Sequence, residues 1–124
     1  MRMLLDTHAF LGLLEDDARL PAWLRAASED HDDELVVSDI SLLEIAIKSS
    51  LGRIDVPDDL PDVIDQSEVT RLEIARTHIW KVRDLKFHHR DPFDRLLVAQ
   101  ALVEGLTVVS RDRELALYGV ATRW

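Results

Sequence analysis

Five acids hold positions from which carboxylates could act together: Asp6, Glu44, Asp91, Asp94 and Asp112. Each alone has a structural explanation. Asp6 ends an apolar run and precedes a helical pattern, where an aspartate caps a helix by accepting from its unpaired N–H groups. Glu44 fits two settings. In Ser41-Leu42-Leu43-Glu44 it completes a capping box with Ser41 as the cap. If Ser38 is the cap instead, Glu44 lies in the second turn and projects from one helix face, with Lys48 four residues on as its ion-pair partner. Asp91-Pro92-Phe93-Asp94 is a strong helix start, with Asp as cap and Pro at the first position. Asp94, however, shares a helical stripe with Leu97, Val98 and Ala101, among core positions where a carboxylate needs a cation or a donor. Asp112 by itself reads as a cap or turn residue.

What these acids can do depends on the elements that carry them. Arg2-Met3-Leu4-Leu5 predicts a short strand, followed by a helix from about His8 to Asp16. Pro21 opens a second helix through Ala27. Glu34 to Ser38 is a buried-type strand, and the helix after it runs to Leu51, stopped by Gly52. Pro57 to Gln66 is a weaker helix, Glu68-Val69-Thr70 a short edge strand, and Leu72 to about Leu85 a further helix. Pro92 to Glu104 is the strongest helix, ended by Gly105. Leu106 to Ser110 is a clear strand, Glu114 to Tyr118 a short helical turn, and Val120 to Trp124 a last strand.

Strands separated by helices predict right-handed βαβ units and a mainly parallel sheet with helices on both faces. Ligands of such sheets collect beyond the carboxyl ends of the strands. Asp6, Ser38-Asp39 and Ser110-Arg111-Asp112 each follow a predicted strand directly. Acids converging on one sheet edge repel one another, and helix N-termini offset only part of that repulsion. A hard cation such as Mg2+ or Mn2+, which takes oxygen ligands, would relieve the rest. Such a cation activates bound water and neutralises a phosphodiester, so the acid set points to phosphoryl chemistry.

Composition narrows the field further. The 124 residues suit one domain spanning 1–124, and 47% apolar content suffices for a core. The absence of cysteine excludes disulfides, thiolate metal sites and cysteine nucleophiles, and suits a reducing cytoplasm. No apolar run reaches the roughly 18 residues of a membrane helix, and an acid at position 6 comes too early for a signal peptide. A net charge of -9 argues against nucleic-acid binding through the global field. It leaves a partner other than nucleic acid, a basic protein, or a local contact mediated by bound cations. Neither GxxxxGK[ST] nor GxGxxG occurs. His8, His31, His78 and His88-His89 lack zinc spacing. Trp23, Trp80 and Phe93 are too scattered for a base-stacking platform and are expected in the core or an interface.

The motifs resemble those of PIN-domain toxins of bacterial type II toxin–antitoxin modules, the VapC type. Leu4-Leu5-Asp6-Thr7-His8-Ala9-Phe10-Leu11 looks like the first motif of that family. Ser41 to Lys48 followed by Leu51-Gly52-Arg53 looks like the second. The stretch His89-Arg90-Asp91-Pro92-Phe93-Asp94-Arg95 through Ala101 is similar to a distinctive subgroup motif, and Val108-Val109-Ser110-Arg111-Asp112 to the last. Four motifs in order cover nearly the whole chain. The resemblance implies a three-layer α/β fold with a parallel five-stranded sheet between helices. It also implies an acidic Mg2+ or Mn2+ site and endoribonuclease activity on RNA, with inhibition by a cognate antitoxin and a homodimer. Matched by position, the catalytic acids fall on Asp6, Glu44, Asp94 and Asp112, and the metal ligands on Asp6, Asp94 and Asp112, with Asp91 as a subgroup acid that joins them or caps its helix. The chain departs at Gly12, where the subgroup often carries Trp, which removes aromatic surface near the first helix.

With that resemblance, Glu44 is expected to help directly or through water. Thr7 or Ser110 is expected to hold a water or phosphate oxygen. Arg90, Arg95, Arg111 and Arg113 are candidates for phosphate contact. Rival readings use the same acids in a DNA nuclease or small phosphatase, or keep them as caps in a non-enzymatic partner-binding domain.

Overall fold

The computed structural model describes residues 1–88 and 90–124. The first position of the third motif, His89, lies outside the described residues. Five short strands, β1 (Arg2–Leu5), β2 (Glu34–Ser38), β3 (Thr70–Leu72), β4 (Thr107–Val109) and β5 (Thr122–Arg123), form one sheet in the order β3-β2-β1-β4-β5. Every pairing is parallel. Six α-helices connect them: α1 (Thr7–Leu14), α2 (Ala22–Glu29), α3 (Asp39–Ser50), α4 (Leu60–Gln66), α5 (Arg76–Lys81) and α6 (Pro92–Glu104).

Alternation along the strands divides the core between two faces. Met3 and Leu5 of β1 pack on one side with Phe10, Leu24 and Ile45. Leu4, between them, packs on the other with Val36, Leu97, Val98 and Val108. A sheet buried on both faces needs continuous apolar strands, which is why Met3-Leu4-Leu5 and Leu35-Val36-Val37 read as unbroken runs. The chain leaves β1 toward β2 on one side and returns to β4 on the other. The carboxyl ends of β1 and β4 therefore meet where the strand order reverses, the usual position for a crevice in an open parallel sheet.

Three expectations shift. The third strand is two residues later than predicted, and Leu72 belongs to it, paired with Ser38. The long helix predicted from Leu72 shortens to α5 and continues as a 3₁₀ helix over Val82–Asp84. Tertiary pairing outweighs helical propensity at Leu72: β3 hydrogen-bonds to β2, and Arg71 beside it grips both carboxylate oxygens of Asp39 at 2.9 and 3.0 Å. The weak helix predicted from Pro57 starts at Leu60, because Pro57 opens a turn whose carbonyl accepts from Leu60 N. α6 has its predicted bounds. Gly105 ends it at φ +68°, a left-handed conformation that glycine adopts without strain.

Candidate active site

Asp6, Glu44, Asp91, Asp94 and Asp112 all line one cleft of about 600 Å³ at the carboxyl edge of the sheet. Local structure holds most of them. Asp6 follows β1, where its N–H donates to Val109 O of the neighbouring strand (3.0 Å), and its Oδ1 caps α1 by accepting from Ala9 N (2.7 Å). Asp91 caps α6 through Phe93 N (2.8 Å). Asp112 caps the 3₁₀ helix Arg113–Tyr118 through Glu114 N (2.9 Å). Asp94 stands one turn into α6, half-buried, above the buried Leu97, Val98 and Ala101. Cap and cleft are thus compatible roles: one carboxylate oxygen serves the helix end while the residue still faces the cleft.

Glu44 follows the second of its two settings. The cap of α3 is Ser38, whose hydroxyl accepts from Ile40 N (3.0 Å), so Glu44 lies beyond the first turn. Its Oε1 accepts from the buried Thr7 hydroxyl at 2.7 Å, and its Oε2 pairs with Lys48 at 2.8 Å. The side chain is 14% exposed. Thr7 Oγ1 also lies 3.1 Å from Ser41 Oγ, which ties the start of α1 to α3.

Burial pushes the Asp6 carboxyl above the usual aspartate range, and the charge of Glu44 adds to that push. The Ser110 hydroxyl, the Ala9 N–H and His8 pull the other way. Ser110 Oγ also accepts from Asp112 N (3.0 Å), so one hydroxyl bridges two of the acids. The chemistry of this lining fits a hard dication: carboxylate and hydroxyl oxygens, no sulfur, and a half-buried acid whose charge the protein disfavours. The acids are spread along the cleft rather than gathered. Among the described residues, no three acids or histidines form a group that could hold a metal ion as placed.

The basic side chains sort differently from expectation. Arg111 lines the cleft. Arg95 turns away to the α5–α6 connection, where it donates to the carbonyls of Lys86 (3.0 Å) and Val82 (3.3 Å) and lies over the Phe87 ring. Arg90 and Arg113 lie outside the cleft lining. Lys48 and Arg19 stand there instead, with Arg19 held by Asp17 at 2.8 Å. Asp17, Arg19 and Trp124 were not singled out from the sequence. No motif marks them, because loop and strand packing alone carries them to the site. Of the scattered aromatics, Trp23 and Phe93 pack partly buried against the two cores, whereas Trp80 is exposed.

Residues 3–121 match the PIN domain family, and the chain belongs to it. Nuclease activity is general to PIN domains. Solved structures similar to it include VapBC2 from Rickettsia felis bound to a promoter DNA fragment, with a TM-score of 0.72 and 14% identity over 100% of this chain and 99% of that one. A toxin–antitoxin complex from Klebsiella pneumoniae gives 0.66 and 14% over 98% and 96%. DNA-bound VapBC from Salmonella typhimurium gives 0.70 and 16% over 99% and 97%. At these identities the likeness is one of fold. No curated protein matches the chain by sequence. Among the described residues, no helix is long and apolar enough to cross a membrane.

Proposed function

We propose that this chain is a Mg2+- or Mn2+-dependent endoribonuclease and the toxin of a type II toxin–antitoxin module. The observation that carries the reading is the meeting of all five predicted acids in one cleft of a PIN domain. Asp6, Asp94 and Asp112, with Asp91, would hold the cation, which must draw them together from their present spacing. When bound, such an ion lowers the pKa of its water and offsets charge on the phosphodiester. The chain's own residues do the rest. Thr7 and Lys48 fix the Glu44 carboxylate, which can orient a water. Ser110 steadies Asp6 and the Asp112 backbone. Arg111, which lines the cleft, would meet a substrate phosphate and provide locally the positive charge that the net -9 lacks globally.

The antitoxin part of the reading is supported by the similar structures, which are toxin–antitoxin complexes. A chain this acidic also favours a basic partner. A homodimer is supported by the outer face of α3 and its C-terminal cap, where Leu43, Ile47 and Leu51 are exposed at four-residue intervals.

End-labelled RNA and DNA oligonucleotides test the reading. RNA is expected to be cut with Mg2+ or Mn2+ and spared in chelator, leaving a 5′-phosphate and a 3′-hydroxyl. A 2′,3′-cyclic phosphate would show that the RNA 2′-hydroxyl, and not water, is the nucleophile. Cleavage of DNA with RNA left intact would favour the DNA nuclease, and no cleavage of either would favour the non-enzymatic domain.

A further inference from the structure

Among the described residues, the cleft holds one large aromatic side chain that the chemistry above does not use. Trp124 directly follows β5, whose Arg123 pairs with Val109 and accepts from Ser110 N (3.1 Å). That register puts Trp124 beside Ser110 and Arg111, at the mouth of the acid site. Successive side chains of an extended segment point to opposite faces. Arg123 turns to one side and stacks its guanidinium 3.8 Å from the Trp23 ring centroid. Trp124 turns to the other and lines the cleft, where it is 40% exposed. Gly12 and Leu20 line the same cleft. A Cβ at Gly12 would meet Leu20 Cδ2 at 2.7 Å, so the leucine side chain already occupies the space that a larger residue at position 12 would need.

An exposed indole beside an arginine and a set of acids suits one kind of ligand. Any nucleobase offers a π face, and stacking on an aromatic side chain tolerates any sequence. A base in a duplex is already covered on both faces by its neighbours, so only an unpaired base can take up the indole. We infer that Trp124 is a stacking platform for an unpaired base next to a phosphate met by Arg111. This rests on the nuclease reading of the same cleft.

The test compares the wild-type chain with Trp124→Leu, which keeps apolar bulk without a π face, and Trp124→Phe, which keeps the π face. Binding of a fluorescein-labelled single-stranded RNA is measured by anisotropy with Ca2+ in place of Mg2+, and cleavage separately with Mn2+. Trp124→Leu should weaken single-strand binding about 5- to 150-fold. It should raise KM with kcat nearly unchanged, the pattern of an interaction made equally in ground and transition states. Trp124→Phe should recover most of the loss. Binding should quench part of the tryptophan emission, and that quench should vanish in Trp124→Phe although the RNA still binds. Wild-type affinity in Trp124→Leu overturns the inference. So does an equal loss in Trp124→Leu and Trp124→Phe, which would mark a packing role. Duplex RNA bound by the wild-type chain as tightly as the single strand, or no RNA binding at all, also overturns it. RNA bound through Trp124 but never cut would sustain the platform and sink the nuclease reading.

Discussion

Two groups of polar side chains draw on α6 and its neighbours, and they are built in opposite ways. Behind the sheet edge runs a closed chain of partners. Ser38, the cap of α3, donates to Gln100 Oε1 on α6, and Gln100 Nε2 lies 3.3 Å from both Glu73 O and His78 Nδ1. His78 Nδ1 accepts from Ala75 N (3.0 Å), which leaves Nε2–H to donate to Glu104 at 2.8 Å. Gln100 is wholly buried and His78 is 2% exposed. Every donor in that chain meets an acceptor. In the cleft, Asp6, Glu44, Asp94 and Asp112 bring like charges to one lining, and burial together with the charge of Glu44 holds the Asp6 carboxyl above its usual range. Complementary polar groups can satisfy each other internally, whereas like charges leave a demand that something from outside must meet. The first group stabilises the crossing of α3 and α6. The second spends part of that stability on a site.

The largest expected effect separates the groups by activity. Asp6→Asn and Asp112→Asn keep much of the capping geometry, Asp94→Asn keeps the side chain's shape, and all three lose the charge. Each should stay folded while RNA cleavage falls by about 100-fold or more, since even outer-shell partners of a metal contribute about 10- to 100-fold. Mn2+ at about 100 times its Kd should stabilise the wild-type fold by about 2.7 kcal/mol, and these variants less. Asp62→Asn, on the exposed first turn of α4, is the control and should match wild type. Cleavage rates beside thermal melts decide it: full activity in Asp6→Asn and Asp94→Asn leaves the cleft without its assigned chemistry.

A smaller effect, in stability alone, is expected from the closed group. Gln100→Leu fills the space but strands the buried Ser38 hydroxyl, at a cost of about 1–3 kcal/mol for a buried group left unpaired. In that background Ser38→Ala should cost less than in the wild-type chain, because its partner is already gone. Urea unfolding of the four proteins gives the coupling. Strict additivity would mean that the Ser38–Gln100 contact does not join the helices energetically.

The smallest effect is the pH dependence of the metal-free fold. The Asp6 carboxyl lies above its unfolded value, so its protonated form is favoured by folding. The stability it contributes is fully present below the unfolded pKa of 3.8 and is lost as pH rises through the raised folded value. In chelator at neutral pH, Asp6→Asn should therefore melt higher than wild type, and the gap should close as pH falls toward 3.8. A gap that is constant with pH would place its cause elsewhere than in the Asp6 charge.

Much of the site was legible because it is local. An aspartate after an apolar run, or before Pro92, announces a cap, and capping is settled within three residues of chain. Asp6, Asp91 and Asp112 each cap as read, and α6 carries Asp94 above the core residues that the stripe predicted. Glu44 was legible only as a choice. Ser38 and Ser41 both offer a capping oxygen, and the contact of Thr7 and Ser41 across α1 and α3 commits Ser41 elsewhere. In the sequence Gln100 reads as one more residue of a strong helix, and His78 as a lone histidine. Their partners come from β2, α5 and the segment before it, too far away in the chain for spacing to reveal them.

The sequence by itself determined where β1 and β2 end, that Asp6, Asp91 and Asp112 cap the helices after them, and that acids line one edge of a parallel sheet. Those properties depend on backbone valence and apolar period over a few residues, and they hold wherever the segment is placed. Only the tertiary structure decided that β3 starts at Thr70, that Arg95 serves a loop rather than the cleft, and that Arg19, Lys48 and Trp124 stand around the acids. Each of those outcomes is a competition between distant surfaces for the same side chain or strand edge. The winner is fixed by sheet register and helix packing, which no local pattern encodes.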